Sequence, residues 1–259
     1  MCLIINADDF GKNESVNKAV RECFEKKLIQ RTTLMVNMPA ADEAVAIAKA
    51  AGFSDRVGIH LNLTEGRPLT GEIRNNPLLC DEYGNFHAGF QKTTKYRLYM
   101  DELTIGQIRE ELDAQLCKYR TYGLTLNHID SHHHVHTNYP ILRALKPLAP
   151  KYGFSSVRLS RNLYHGGSLP MRLYKSLYNH AIRKLCKTGT DYFGSYQDMI
   201  AFFSVPQNEG ADRKDALARL DRFLAGHSLE IMVHPMYDAS GVLLDTDIPM
   251  EREKELLHA

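Results

Sequence analysis

The sequence predicts an α/β protein, a single-domain (β/α) barrel over residues 1–259. Three observations carry this. Strand-like apolar runs alternate with amphipathic helical stretches, which implies βαβ units and a parallel sheet. The length of 259 residues matches the roughly 250 of one such barrel. The composition, 44% hydrophobic and 24% charged, is that of a chain able to build a core without staples. No repeat, low-complexity tract or linker divides it.

The elements follow in order. Residues 2–7 read as a buried strand. After Gly11, the spacing of Val16, Ala19, Val20, Cys23 and Phe24 predicts a helix. Residues 32–37 read as a strand, and 40–50 as an Ala-rich helix stopped by Gly52. Another strand spans 57–63. The clearest helix is 104–121: Thr104 and Gln107 have capping-box spacing, Ile105, Ile108, Leu112, Leu116 and Tyr119 form its stripe, and Gly123 ends it. Then come strand 124–129, helix 139–149, short strand 156–159, helices 170–186 and 212–225, strand Leu229–Val233 and helix 249–258. Residues 64–100 form the one long irregular stretch. Loops of that size are commonly lids or binding loops. It carries Tyr83, Phe86, Phe90, Tyr96 and Tyr99, so it is either a lid with aromatics facing a ligand or a loop with its own small core.

Lys and Arg number 32 against 31 Asp and Glu, a net charge of +1. This removes the general electrostatic case for nucleic-acid or anionic-membrane binding. The five cysteines, at 2, 23, 80, 117 and 186, include no Cys-x-x-Cys pair and read as reduced thiols. The N-terminus lacks the basic start and long apolar stretch of a secretory signal. No apolar run approaches the ~20 residues of a membrane span. The expectation is a soluble, cytoplasmic protein with no nucleic-acid or membrane partner; a homodimer stays open.

The chemistry collects at strand ends. His128, His132, His133, His134 and His136 crowd beside Asp130, a density that packing does not explain and a metal site does. Asp8 and Asp9 follow the first strand, His60 lies in 57–63, the histidine cluster follows 124–129, and His234 follows Leu229–Val233. In a parallel barrel those ends converge on the face where active sites lie. Two adjacent carboxylates repel unless their roles differ. A divalent cation resolves this, with one carboxylate coordinating and the other left as a general base; the plainer alternative is that they cap the helix near Asn13. An aspartate plus two histidines leaves coordination positions open, as catalytic sites require. The same set describes non-haem iron oxygenases, but the α/β alternation argues against that class. Spacing alone leaves the cluster open: helical geometry groups 128, 132 and 136, whereas extended geometry groups the even-numbered residues.

At these residues the sequence resembles the YdjC-like carbohydrate deacetylases. The matching stretches are Asn6-Ala7-Asp8-Asp9-Phe10-Gly11, Gly58 through Thr64, His128 through His136, and Glu230 through Pro235. The resemblance implies a deformed β/α barrel and a divalent metal, commonly Mg2+, with Zn2+ or another transition metal as the alternative. It maps the metal ligands onto Asp9, His60 and His132, with Asp8 as base. Members end with a short strand, where 249–258 here reads helical. The resulting reading is a metal-dependent hydrolase that removes acetyl groups from N-acetylated sugars, short chitooligosaccharides foremost. His234 is the candidate acid for the leaving amine, with His136 second, and Arg158 is a candidate sugar ligand, its alternative a surface arginine. The rivals are a two-metal phosphoesterase using Asp130 and a non-catalytic metal-binding protein.

Overall fold

The computed structural model describes residues 3–160, 169–185, 189–204, 211–245 and 248–249. In chain order the elements are β1 (Leu3–Phe10), α1 (Glu14–Glu25), β2 (Arg31–Leu34), α2 (Ala41–Ala50), β3 (Val57–Leu61), α3 (Lys95–Leu98), α4 (Glu102–Thr121), β4 (His128–Ser131), α5 (Tyr139–Leu145), α6 (Leu148–Lys151), β5 (Ser156–Val157), α7 (Leu169–Leu185), β6 (Tyr192–Ser195), α8 (Tyr196–Phe203), α9 (Ala211–Gly226), β7 (Leu229–Val233), β8 (Pro235–Tyr237), β9 (Leu243–Asp245) and β10 (Ile248–Pro249).

Seven strands pair in the order β5-β4-β3-β2-β1-β7-β6, and every pairing is parallel. The sheet curls into a half-barrel with helices packed on it, which is the predicted deformed barrel. Among the described residues β5 and β6 form no ladder with each other. The strands are buried along almost their whole length, so burial does not alternate as in a sheet with one wet face, although β2 (RTTL) and β4 (HIDS) are mostly polar. Parallel pairing also puts all their C-terminal ends at one pole, which is what assembles the site.

The helices show why the sequence stops and starts where it does. Asn13 caps α1 by accepting a bond from Val16 N at 2.9 Å, and Ala19, Val20, Cys23 and Phe24 form its buried stripe. The cap of α4 is Asp101, whose Oδ1 accepts from Thr104 N at 2.8 Å; the helix therefore begins at Glu102 rather than Thr104. The single helix expected over 139–149 is two, α5 and α6, because Pro147 lacks the N–H that would continue the α5 hydrogen-bond ladder. The sequence reading passed over β6 and α8, and over the antiparallel sheet β10-β9-β8. Pro249 lies in β10; the rest of the expected helix 249–258 lies outside the described residues.

Residues 64–100 pack into the main core rather than around one of their own. Ile73, Leu79, Phe86, Phe90 and Met100 are buried with the main core, and the carboxylate of Glu111 on α4 accepts bonds from Leu69 N, Thr70 N and Thr70 Oγ1 at 3.1, 2.8 and 2.8 Å. Phe86 and Phe90 thus face inward, while Tyr83 and Tyr99 are exposed. The segment walls one side of the histidine turn and is joined to it by Gln91 Nε2, which donates to His133 O at 3.0 Å. No helix among the described residues is long and apolar enough to cross a membrane.

Candidate active site

β1 delivers two adjacent acids to one place. In a regular strand neighbours point to opposite faces. Here the β1–β2 register shifts between Ala7 and Phe10, and Asp9 takes φ +65°, a left-handed conformation that a non-glycine residue keeps only where its surroundings impose it. Gly11 follows at φ +88°, and a Cβ there would stand 2.8 Å from the Leu34 side chain, so the turn out of β1 requires glycine. The kink leaves Asp8 and Asp9 both buried and both within reach of His60.

Asp9 faces imidazoles. Its Oδ1 lies 2.8 Å from His132 Nδ1 and 3.2 Å from His60 Nε2, and one ligand atom from each of the three side chains falls within 4.8 Å of the others. The second nitrogen of each ring is also held. His60 Nδ1 donates to Asp130 Oδ1 at 2.7 Å, and Asp130 Oδ2 accepts from Thr33 Oγ1 at 2.9 Å. His132 Nε2 lies 3.0 Å from Glu65 Oε2, which also accepts from Lys12 Nζ at 2.8 Å. Burial alone would raise the Asp9 carboxyl, but its bonds from His132 and His60 hold it well below the usual carboxylate range. Burial alone would lower His60, but Asp130 foremost, then Asp9 and Asp8, push it up to about 10. One carboxylate and two oriented imidazoles fit a divalent cation and leave coordination positions open.

Asp8 faces an arginine instead. Arg158 Nη1 donates to its Oδ2 and Nη2 to its Oδ1, both at 2.7 Å, and Asn6 Nδ2 donates to Oδ1 at 2.7 Å. Burial would raise this carboxyl too. The Arg158 charge and bonds outweigh it, with smaller contributions from the neighbouring His60 and His234, and hold Asp8 well below the usual range. His234 follows β7 and stands partly exposed; its backbone N–H donates to Asp245 Oδ1 at 2.7 Å, which fixes the turn into β8.

The histidine cluster is neither helical nor extended. After β4 it turns through His132–Thr137, with His133 and His134 at φ +52° and +54°, and those two left-handed residues scatter the rings. His128 is buried against Ser156 Oγ at 2.8 Å and Arg31 Nη2 at 3.2 Å. His132 reaches Asp9. His133 is exposed, with Nδ1 3.1 Å from Thr64 Oγ1. His134 meets the Phe193 ring edge-on at 5.3 Å, and burial, then the Arg158 charge, pull it down to about 4. His136 is pulled to about 3, by burial first; its Nδ1 lies 2.5 Å from Ser131 Oγ and its Nε2 3.1 Å from Arg158 O. A buried ring with both nitrogens engaged is poorly placed as an acid for a leaving amine, so His136 is ill suited to the role.

Arg158 also departs from expectation. It is 1% exposed, and its Nε, Nη1 and Nη2 all rest on carboxylates. It is neither a surface arginine nor, in this arrangement, a sugar ligand. Asn6, Arg31, Thr33, Glu65 and Glu230 are site residues that the sequence reading did not single out. The available signal was charge inside apolar strands, as for Glu230 between Leu229 and Ile231.

Comparison with known proteins gives the family of the chain. The family model described as YdjC-like protein matches residues 2–258. A carbohydrate deacetylase of Vibrio cholerae serotype O1 is 41% identical over 99% of this chain and 86% of its own. One of Thermoanaerobacter pseudethanolicus is 32% identical over 91% of this chain and 81% of its own. The crystal structure of a protein described as a cellobiose-phosphate cleavage protein from Enterococcus faecalis superposes with a TM-score of 0.67 at 25% identity, covering 99% of this chain and 90% of that one. Matched along nearly its full length, the chain belongs to the YdjC-like family.

Proposed function

We propose that the protein is a metal-dependent carbohydrate deacetylase acting on short N-acetylated oligosaccharides. The observation that carries this reading is the divergence of Asp8 and Asp9: neighbours in sequence, they end in opposite surroundings, one gripped by a guanidinium and the other converging with two imidazoles. That division matches the needs of amide hydrolysis, which takes a base for water and a separate electrophile. Asp9, His60 and His132 would hold a divalent cation, which supplies Lewis-acid polarisation of a carbonyl and worth several kcal/mol of charge stabilisation, about as for other hydrolases. Asp8 takes the proton of the attacking water, its carboxylate kept ionised and oriented by Arg158. His234 gives a proton to the departing amine. The names of the deacetylase relatives support the reaction class. Two imidazole donors favour Zn2+ or another transition ion over the Mg2+ that the family resemblance implies, because Mg2+ prefers oxygen ligands.

The phosphoesterase alternative asks for two metals about 3.5–4 Å apart. The other acid–histidine groups, Asp8–His60–Asp130 and His128–Asp130–Glu230, have their carboxylates occupied by Arg158 and, in the second, Arg31. Guanidiniums at those oxygens disfavour a second cation.

The test is acetate release from N-acetylglucosamine, N,N′-diacetylchitobiose and longer chitooligosaccharides, each with and without a sugar phosphate, before and after chelation and after reconstitution with Zn2+ or Mg2+. The expected result is chelator-sensitive acetate release, fastest from the disaccharide. Phosphate release without acetate would move the assignment to the phosphoesterase.

A further inference from the structure

Beneath Asp8 lies a closed circuit of buried side chains. Arg158 grips Asp8 through Nη1 and Nη2, and its Nε donates to Glu230 Oε1 at 2.7 Å. Glu230 Oε2 pairs with Arg31 Nη2. Arg31 Nε donates to Asn6 Oδ1 at 2.9 Å, and Asn6 Nδ2 returns to Asp8 Oδ1 at 2.7 Å. The loop therefore runs Asp8–Arg158–Glu230–Arg31–Asn6–Asp8. It draws on β1, β2, β7 and the residue after β5, strands that are not all neighbours in the sheet. Glu230 is fully buried, and Thr190 Oγ1 donates to its Oε2 at 3.3 Å.

From this circuit we propose that Glu230 is a positioning residue, which aims the Asp8 carboxylate through Arg158 on one side and through Arg31 and Asn6 on the other. The inference rests on Asp8 being the base. A guanidinium is a planar fork. Asp8 takes the end-on edge and Asp130 Oδ2 lies 2.7 Å from Nη2, so the Nε–H is the handle left at the far edge of the fork, where it fixes the plane together with Asp130. Glu230 holds that handle, and with its second oxygen holds the other arginine that bears on Asp8. Stability alone is a weak reason for such a cluster: replacing buried ion pairs with apolar residues of similar volume is often neutral or stabilising. Orientation of a reacting group is a stronger reason, since displacements of about 1 Å can cost about 10²-fold in rate.

The experiment is a cycle of Asp8→Asn, Glu230→Gln and the double variant, read as kcat and KM for acetate release from N,N′-diacetylchitobiose, with metal content measured in each. The expected result is that Glu230→Gln lowers kcat by roughly 10–100-fold, leaves KM and metal content within about twofold, and costs little further rate once Asp8 is already Asn. The same loss in both backgrounds, or no loss in kcat, overturns the proposal. Full rate in Asp8→Asn alone removes the base reading instead, which separates the two failures. A crystal structure of Glu230→Gln reads the positions without turnover: a turned Arg158 plane and a displaced Asp8 carboxylate are expected, and unchanged positions overturn the proposal. Glu230→Asp keeps the charge and serves the same cycle if the Gln variant does not fold. Failure of both to fold assigns Glu230 to the fold and overturns a positioning role.

Discussion

Asp130 Oδ1 receives the Nδ1–H of His60 at 2.7 Å, and this bond decides which nitrogen His60 offers to the site. With Nδ1 held, Nε2 is the atom that faces Asp9. The same carboxylate, through Oδ2, accepts from Arg158 Nη2 at 2.7 Å, so one acid links His60 to the guanidinium that grips Asp8. Asp130→Asn is expected to weaken metal affinity by about 10–100-fold, the usual effect of removing a carboxylate that orients a ligating histidine. Calorimetric titration with Zn2+ measures it. An unchanged dissociation constant would mean that His60 is oriented by other contacts, Thr33 Oγ1 being the nearest candidate at 3.2 Å.

The division between the two β1 acids predicts opposite phenotypes. Asp8→Asn is expected to retain metal and lose about 10²–10⁴ in kcat, the weight of a general base. Asp9→Asn is expected to lose the metal itself, because one of three protein ligands is gone. Elemental analysis and acetate release on both variants check the pair. The reverse pattern exchanges the two roles, and equal metal loss makes both residues ligands.

The parts of the site legible in the sequence share one property: each stands at or just beyond a strand end. Asp8, Asp9, His60, His132 and His234 are polar residues interrupting or closing apolar runs, and parallel topology converts that pattern into proximity. The half-barrel was legible for the same reason. What the sequence hid depends on long-range pairing. Nothing near Arg158 in the chain reveals that its partners are Asp8, Asp130 and Glu230. The fate of the histidine cluster was hidden because it turns on two left-handed residues, His133 and His134, which neither regular periodicity anticipates. β6 escaped because Tyr192–Ser195 is four residues long and contains Gly194, too short and too weak in strand propensity to stand out.

The wall formed by 64–100 depends on Glu111, and this makes a stability prediction. Its buried carboxylate serves Leu69 N, both donors of Thr70, and Gln115 Nε2 at 2.9 Å. Glu111→Ala takes this partner from Leu69 N and both Thr70 donors, while Gln115 Nε2 keeps Asn62 O at 2.7 Å, at a cost of about 1–3 kcal/mol for each orphaned group that water cannot reach. A fall in Tm of several degrees is expected, with metal affinity changed far less, since Glu111 touches none of Asp9, His60 and His132. Differential scanning calorimetry and metal titration check this. Loss of metal with an unchanged Tm would show that the segment shapes the site without being anchored by α4.

The stability of the chelated protein should pass through a maximum near neutral pH. His60 is raised to about 10 in the fold from an ordinary 6.5. The stability this gives is fully present below about pH 6.5 and is lost as pH rises through about 10, because the folded state then holds a proton that the unfolded chain has released. His134 and His136 act in the other direction, lowered to about 4 and about 3. As pH falls from about 6.5, the unfolded chain takes up protons that these buried rings refuse, so stability drops until their folded values are reached. Asp8, Asp9 and Glu230, all held below the usual carboxylate range, extend the loss at lower pH. Thermal unfolding between pH 4 and 10 should therefore show Tm declining on both sides of about pH 6.5. Saturating Zn2+ should flatten the alkaline arm, because a coordinating imidazole nitrogen carries no proton, and His60→Gln should flatten it without metal. A Tm that climbs from pH 7 to 9 in the chelated protein would reverse the sign assigned to His60 and undo the account of its pairing with Asp130.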